Sequence, residues 1–493
     1  MPMQMNSALS VTATKKIRKP LSFDLVIAAV FIACSLVSMV LCVTHYSEVF
    51  SLLFLLPFFF CITCIVFINV FKDILHHLVR LSVIGLYFVR NSLTPLTMAL
   101  GNYESLNITF ESGDVVKAIL LLSYETFVVF FFINLFVQKR SILRPAKGNE
   151  PCSFSRSISE NGGADVSLKG GLLFKTVVLV LTVLMIACVI IVPDITKSYK
   201  NLWTTSTGEL ITTFSNIQDY SPGTFHRILY SFFCFFFTPM LIVWLGMLIT
   251  LVRRVLGDKK IGVIISAGIA MISTFFVSET SLLTVFTILI LLVYTMKLFS
   301  KNKRFVKLFS GISLVLVFAL MMGMRMTAGV YESGSFFGSL AKTLNAYIPG
   351  VYNVSGMWGV TVPNKFETFY LDIYTGIPLR SIIPPLVDGQ RLSDHFNAQI
   401  GSTIQILPLI GQSFFYFYGF APFVPCLLVW WALKMEEKME KVRSCYYYLA
   451  LFSSSIIIVS SVLIYDLSII VTFTTRIVFP ILLLSYLDER KYR

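Results

Sequence analysis

Charge is what this chain has least of. Only 13% of its 493 residues are Asp, Glu, Lys or Arg, a composition that no soluble domain of this length is built from. Recognised chemistry is scarce too. There is no Gly-rich phosphate loop of the Walker type, no HExxH, no spaced Cys/His ligand set and no Asp-x-Asp pair. Direct use of ATP or a nucleotide sugar is therefore not expected, and neither is a resident metal or other cofactor. The nine cysteines lie in apolar runs or in loops assigned to the cytoplasm, so no disulfide framework is implied. Cys61 and Cys64, spaced as C-x-x-C inside one apolar run with no further ligand nearby, read as packing residues. Acidic residues are outnumbered, 26 against 40 basic, for a net charge of +14. The basic residues are spread between apolar runs instead of gathering on one element, which argues for membrane topology and against nucleic acid.

What the chain has in abundance is apolar length. Hydrophobic residues make up 56%, arranged in repeated runs of the ~20 residues that a ~30 Å hydrocarbon core requires. Twelve spans are predicted, at roughly 25–44, 50–71, 81–100, 115–137, 172–193, 228–252, 261–278, 282–299, 308–324, 404–433, 446–464 and 469–487. With the N-terminus inside, 29 of the 40 Lys and Arg fall in cytoplasmic pieces and 7 in outer loops, the asymmetry expected of a bacterial inner-membrane protein with both termini cytoplasmic. Lys15, Lys16, Arg18 and Lys19 precede the first span without a small-x-small exit, the pattern of an uncleaved signal anchor.

The predicted architecture is an all-α polytopic membrane protein of about twelve transmembrane helices with one large folded extracytoplasmic loop. It divides into a cytoplasmic N-terminus (1–24), spans one to nine (25–324) with a Ser/Gly/Asn-rich cytoplasmic linker at 139–171, an outer cap (325–407), spans ten to twelve (408–487) and a cytoplasmic tail (488–493). The outer loop 194–227, with Trp203, Tyr220 and Phe225, is expected to pack beside the cap, and Glu279-Thr280 to close a tight outer hairpin.

The cap is too apolar for a free loop. From Ser335, the residues Phe336, Phe337, Leu340, Leu344, Tyr347 and Ile348 recur at helical spacing with Ser339, Lys342 and Asn345 opposite. That is the pattern of a helix lying at a membrane surface. Phe366, Phe369, Tyr370 and Ile373 predict a second amphipathic helix ending before Pro378, and Pro384-Pro385 forces a further break.

Ionisable residues at depth each need a reason, because their insertion costs several kcal/mol. Arg90 lies halfway along span three and Glu125 near the middle of span four, so the two can meet. They form either a structural pair or the lining of a wet cavity. Arg476 enters span twelve by about two turns and Arg325 caps span nine. With Arg380 and Arg391 of the cap, these put guanidinium groups on the side that the topology rule strips of positive charge. Arg is the planar fork that grips phosphate oxygens, and a lipid-linked pyrophosphate at the outer leaflet would need such a cluster. His395, the one histidine of the cap, lies in Ser393-Asp394-His395-Phe396-Asn397 and is the candidate general base, with Asp394 beside it and Glu332 and Glu279 in reserve.

In its many spans, inner termini and dominant outer loop near the C-terminus, the chain resembles the Wzy-type O-antigen or capsular polysaccharide repeat-unit polymerases, relatives of the O-antigen ligases. Arg391 followed ten residues on by Gly401 resembles the Arg…Gly loop pattern of some members, and Tyr347-Ile-Pro-Gly350 to Asn353 and Gln405-Ile-Leu-Pro408 entering a Phe/Tyr-rich span resemble stretches of Gram-positive and Bacteroides-type members. The chain departs from the ligase-like relatives in having Glu279 where they carry Arg. The resemblance implies a glycosyltransferase-C-like fold and a metal-independent transfer between two undecaprenyl-pyrophosphate-linked oligosaccharides, with a chain-length regulator protein as a further candidate partner. By position, His395 or Asp394 would be the base. Arg90, Arg325 and Arg476 would bind pyrophosphate, Arg380 and Arg391 sugar or phosphate, and Tyr347, Trp358 and Tyr370 would stack on sugar rings. The rival readings are a flippase or transporter of lipid-linked oligosaccharides and a ligase-type glycan transferase.

Overall fold

The computed structural model describes residues 23–45, 49–101, 111–143, 170–193, 224–273, 281–299, 305, 311–312, 335–378, 383–401 and 405–492. Every regular element among them is helical. Six helices are long and apolar enough to cross a membrane, and a bent pair makes a seventh. This falls short of the twelve spans read from hydropathy. Three of the missing runs are present as shorter apolar helices, Leu55–Val66, Lys260–Ile272 and Val285–Leu298, and most of 308–324 lies outside the described residues.

The helices before the cap are α1 (Phe23–Thr44), α2 (Leu55–Val66), α3 (Leu78–Phe88) continued by α4 (Thr94–Leu100), α5 (Ser112–Leu143), α6 (Leu172–Ile191), α7 (Thr224–Leu256), α8 (Lys260–Ile272) and α9 (Ser281–Leu298). After the cap come α14 (Leu409–Phe417), α15 (Phe423–Met439), α16 (Cys445–Ile464), and α17 (Leu467–Phe473) continued by α18 (Phe479–Glu489). Helix α16 is the hub, with its whole length buried. Its serines make that possible. Ser453 and Ser455 return their hydroxyls to the carbonyls of Leu449 and Leu451 at 2.7 and 2.8 Å, leaving small, self-satisfied surfaces that neighbours approach closely. Helix α1 is the opposite case. Only Ala28, Ser35, Ser38 and Cys42 are buried, all on one side, and its valines face outward.

Two spans contain a wide π turn, Val89–Leu93 between α3 and α4 and Thr474–Val478 between α17 and α18. In each an arginine sits inside the turn, Arg90 or Arg476, and a proline follows, Pro95 or Pro480. Proline has no N–H to return to the preceding turn, and the extra residue of a π turn is one way a helix absorbs that loss without a sharp kink. Ser35 and Ser38 of α1 hold the first of these turns through Ser92, at 2.9 Å to its hydroxyl and 2.6 Å to its carbonyl.

The predicted span at 404–433 is not one helix. Helices α14 and α15 meet at 109°. Tyr418 at the break has φ +50°, Gly419 follows and Pro422 precedes α15, so the backbone is turned where a continuing helix would need ordinary φ and a full set of N–H donors. At the other end of α15, Glu436 accepts the Val79 N–H at 3.0 Å and lies 3.7 Å from His77, while Arg140 of α5 pairs with Glu440.

The cap consists of α10 (Phe336–Tyr347), α11 (Val351–Ser355), α12 (Lys365–Gly376) and α13 (Leu392–Gln399). Ser335 caps α10 by accepting the Gly338 N–H at 3.0 Å, and Asn364 caps α12 by accepting the Phe366 N–H at 3.0 Å. Both amphipathic helices form where periodicity puts them, with their small faces packed on the protein and their leading aromatics exposed. Helix α10 buries Gly338, Ser339, Ala341, Thr343 and Asn345 and leaves Phe336 59% exposed. Helix α12 buries Thr368, Leu371, Asp372 and Gly376 and leaves Phe366 80% exposed. The reason is close approach: the small faces let backbone meet backbone. A Cβ on Gly101 would lie 2.5 Å from the Gly338 nitrogen, and one on Gly376 would lie 2.6 Å from the Ser468 carbonyl oxygen. Gly376→Ala is accordingly expected to loosen α12 from α17 at a cost of about 1–3 kcal/mol. Faster proteolysis within the cap would report it. Gly85→Ala, whose Cβ meets nothing within 4 Å, should leave the cleavage rate unchanged.

Candidate functional site

Helix α13 opens on an ion pair. Asp394 accepts the Arg391 backbone N–H at 3.2 Å and binds its guanidinium through both oxygens, at 3.0 Å from Nε and 2.6 Å from Nη2. Partial burial alone would raise the Asp394 pKa, but the bonds from Arg391 outweigh it and hold the carboxyl below its ordinary range. The same bonds raise the Arg391 pKa further. Asp394 is thus committed to starting the helix and is a poor proton acceptor. His395, one residue on, is half-buried, and its imidazole makes no hydrogen bond with a described residue. Of the two base candidates, the geometry leaves His395.

Two carboxylates that the sequence did not single out lie under this helix. Asp372 of α12 accepts the Leu392 N–H at 3.2 Å and the Tyr416 hydroxyl at 2.7 Å. Asp466, the N-cap of α17, accepts the Ile469 N–H at 2.9 Å and the Ser393 hydroxyl at 2.7 Å. Gln412 of α14 accepts the Leu467 N–H at 2.6 Å, and its amide lies 3.5 Å from the Ser393 hydroxyl. This network ties α12 and α13 to the ends of α14 and α17. Burial pushes the Asp372 carboxyl up to about 7, despite the Tyr416 bond, and raises that of Asp466 as well. Neither was visible beforehand, because each looks like an ordinary helix-surface or capping acid. The available signal was that Asp372 falls on the small face of its helix.

A pH dependence follows. Below about pH 4 the Asp372 carboxyl is neutral whether the chain is folded or not, and its burial costs little. As pH rises toward about 7 the folded state must either bind a proton or hold a buried charge, so stability falls across that window. Arg391 and Tyr416 face it as stabilising partners and Asp466 as a like charge. Asp372→Asn is expected to flatten this part of the melting-temperature profile between about pH 4 and pH 7. An unchanged slope would remove Asp372 as its cause.

Arg90 and Arg476 stand in different surroundings. Arg90 is 1% exposed, its guanidinium pairs with Glu125, and Glu125 also accepts the Tyr87 hydroxyl at 3.0 Å. The structural pair is therefore formed, and Arg90 has no exposed N–H. Directly over it lies the Tyr347–Asn353 stretch, with Gly350 so close that a Cβ would sit 3.6 Å from Arg90 Cγ. Asn353 binds back to Gln405 Oε1 at 3.1 Å and to the Ile406 carbonyl at 2.8 Å. Arg476 differs. It is half-buried, its Nε is buried with no hydrogen-bond partner, and among the described residues no carboxylate pairs with it. Its neighbour Thr475 donates to the Gly376 carbonyl at 3.3 Å, which sets it against the end of α12.

Among the proposed stacking residues, Tyr370 stacks on Tyr374 at 5.8 Å and accepts the Leu386 N–H at 3.2 Å. Trp358 packs edge-on against Phe414 at 4.8 Å, with Lys117 5.4 Å over its ring. Tyr347 ends α10, half-buried. Arg325, Arg380, Glu332 and Glu279 lie outside the described residues, as do most of the 194–227 loop and the Glu279-Thr280 hairpin. No group of three His, Cys, Asp or Glu suited to a metal occurs among the described residues. Compared with known protein families, curated proteins and solved structures, the chain matches none of them.

Proposed function

We propose that this protein is a multi-pass polymerase of the cytoplasmic membrane, joining lipid-pyrophosphate-linked oligosaccharide repeat units on the outer face. The observation that supports this best is the layer formed by α12 and α13. It presents an imidazole with no hydrogen-bond partner among the described residues, His395, beside a fixed guanidinium, Arg391, and a network of buried carboxylates holds the layer to the helix ends beneath it. In the proposed reaction the acceptor hydroxyl of one repeat unit attacks the anomeric carbon of the growing chain. The new glycosidic C–O bond forms, the hydroxyl proton passes to His395, and the bond to the lipid pyrophosphate breaks with its electron pair leaving on oxygen. Cations near that oxygen stabilise the charge as it develops, where electrostatic help is worth most. Arg476, with no carboxylate partner among the described residues, has that role. Arg325 and Arg380 keep the phosphate- and sugar-binding roles that the sequence suggests, and Arg90, neutralised by Glu125, fixes the floor under the cap.

The rival transporter reading draws on one feature, the sealed Arg90–Glu125 pair inside two spans, since intramembrane ion pairs are common in transporters. Purified protein given lipid-pyrophosphate repeat units separates the two. A ladder of lengthened glycans is the expected outcome, whereas units that cross the bilayer unchanged in length would favour transport.

A further inference from the structure

The outward face of α5 marks where the bilayer lies. Between Lys117 and Lys139 its exposed residues are Leu120, Tyr124, Phe127, Phe131, Leu135 and Gln138, a stripe that is aliphatic or aromatic up to its last member. From one lysine to the other the helix rises about 33 Å, close to the thickness of a hydrocarbon core. The elbow between α14 and α15 joins this stripe within its length. Tyr124, about 10 Å inward from Lys117 along the axis, donates its hydroxyl to the Gly419 carbonyl at 3.3 Å, and Phe423 packs edge-on against Phe132 at 6.1 Å. The elbow is therefore level with acyl chains. Tyr418 is 59% exposed and Phe420 74%, and the exposed Leu427 of α15 continues the same outward surface. Lys365, which starts α12, reaches this place from the cap. Its ammonium donates to the Tyr418 hydroxyl at 2.6 Å and to the Phe415 carbonyl at 3.3 Å, and it lies 4.6 Å from the centroid of each of those rings. A long cationic side chain at a membrane edge keeps its stem in apolar surroundings and its charge among the headgroups.

We infer that this elbow is a wedge docked in the bilayer: Tyr418 and Phe420 enter the leaflet on the cap's side, and Lys365 holds its ammonium at the lipid phosphates. The occupant is the leaflet itself, because the elbow's rings continue the lipid-facing stripe of α5 and the lysine above them matches the charge of the headgroup layer. The inference goes beyond the proposed reaction and does not need it. Its consequence is a mechanical link from lipid to cap. Helix α14, which ends in the elbow, carries Tyr416 bound to Asp372 of α12 at 2.7 Å and Gln412 bound to the Leu467 N–H at 2.6 Å. Lys365 ties the start of α12 to the elbow as well. A leaflet that grips Tyr418 and Phe420 thus sets the height of α12, and through Asp372 and the Leu392 N–H that of α13 with His395.

The test is depth, read by a nitroxide on the full-length protein in nanodiscs of phosphatidylglycerol and phosphatidylcholine, in a background without the native cysteines. Phe420→Cys carries the label, Leu427→Cys on the outward face of α15 is the lipid reference, and Leu386→Cys on the exposed cap is the aqueous one. Oxygen concentrates among acyl chains and a neutral nickel chelate in water. The ratio of oxygen to chelate collisions is expected to be several-fold higher at Phe420 than at Leu386 and close to that at Leu427. A ratio nearer to that of Leu386 overturns the inference. So does a label that meets neither reagent, which would mean that a second copy of the chain covers the elbow. Lys365→Glu, which sets a negative charge against the phosphates, should lower the ratio at Phe420 several-fold while Lys365→Arg keeps it. An unchanged ratio in Lys365→Glu would remove the lysine from the wedge. None of these readings depends on a glycan ladder, so failure of the polymerase and failure of the wedge are told apart.

Discussion

Arg90→Ala is expected to prevent the protein from accumulating in folded form, and Glu125→Ala to do the same. Each leaves the other charge buried inside the membrane region, since both side chains are fully enclosed. Removing one partner of a buried pair costs about 3–5 kcal/mol, a large part of the ~5–15 kcal/mol by which folded proteins are usually stable. The pair replaced as a pair should behave differently. Arg90→Met with Glu125→Gln removes both charges, keeps the volume and leaves an acceptor for the Tyr87 hydroxyl, which donates to Glu125 at 3.0 Å in the native protein. The double variant is expected to fold and to retain most of its activity. A folded but inactive double variant would mean that turnover needs the charges of this pair.

His395→Ala should do the opposite: the fold stays and turnover falls. The side chain is half-buried and bonded to no described residue, so its loss disturbs little packing. A general base contributes about 10²- to 10⁴-fold, and a drop of that size in ladder formation, with unchanged melting temperature, is the expected result. Asp394→Ala supplies the contrast. It removes the carboxylate that starts α13 and binds Arg391, costing about 0.5–2 kcal/mol as capping residues do. Any activity lost there should be accompanied by a lower melting temperature. If His395→Ala polymerises at the native rate, the proton goes elsewhere, and the buried carboxylates beneath α13 become the next candidates.

Much of the architecture could be read from the chain, because apolar length and period are strong signals. The cap helices at Phe336–Tyr347 and Lys365–Gly376 appear where the spacing of their aromatics puts them. Which protein surfaces their small faces pack on was not legible, because the fit depends on backbone approaching backbone at Gly101 and Gly338 and at Gly376 and Ser468. The partnership of Arg90 with Glu125 could be foreseen from their similar depth in consecutive spans. That α16 is a buried hub and α1 a peripheral helix could not, because lipid and protein interior select similar side chains. The break in the predicted tenth span did leave a mark in Gly419 and Pro422, outweighed there by the apolar residues on both sides. The carboxylates Asp372 and Asp466 gave little sign, since what distinguishes them is what three separate helices bring to them.

The account stands on the cap being outside the cell membrane's barrier, where lipid-linked glycans are joined. Leu386, 87% exposed between α12 and α13, offers the most direct check. In a background without the native cysteines, Leu386→Cys should react in intact cells with a maleimide that does not cross the membrane. Reaction only after the membrane is opened would put α10 to α13 in the cytoplasm and contradict the account.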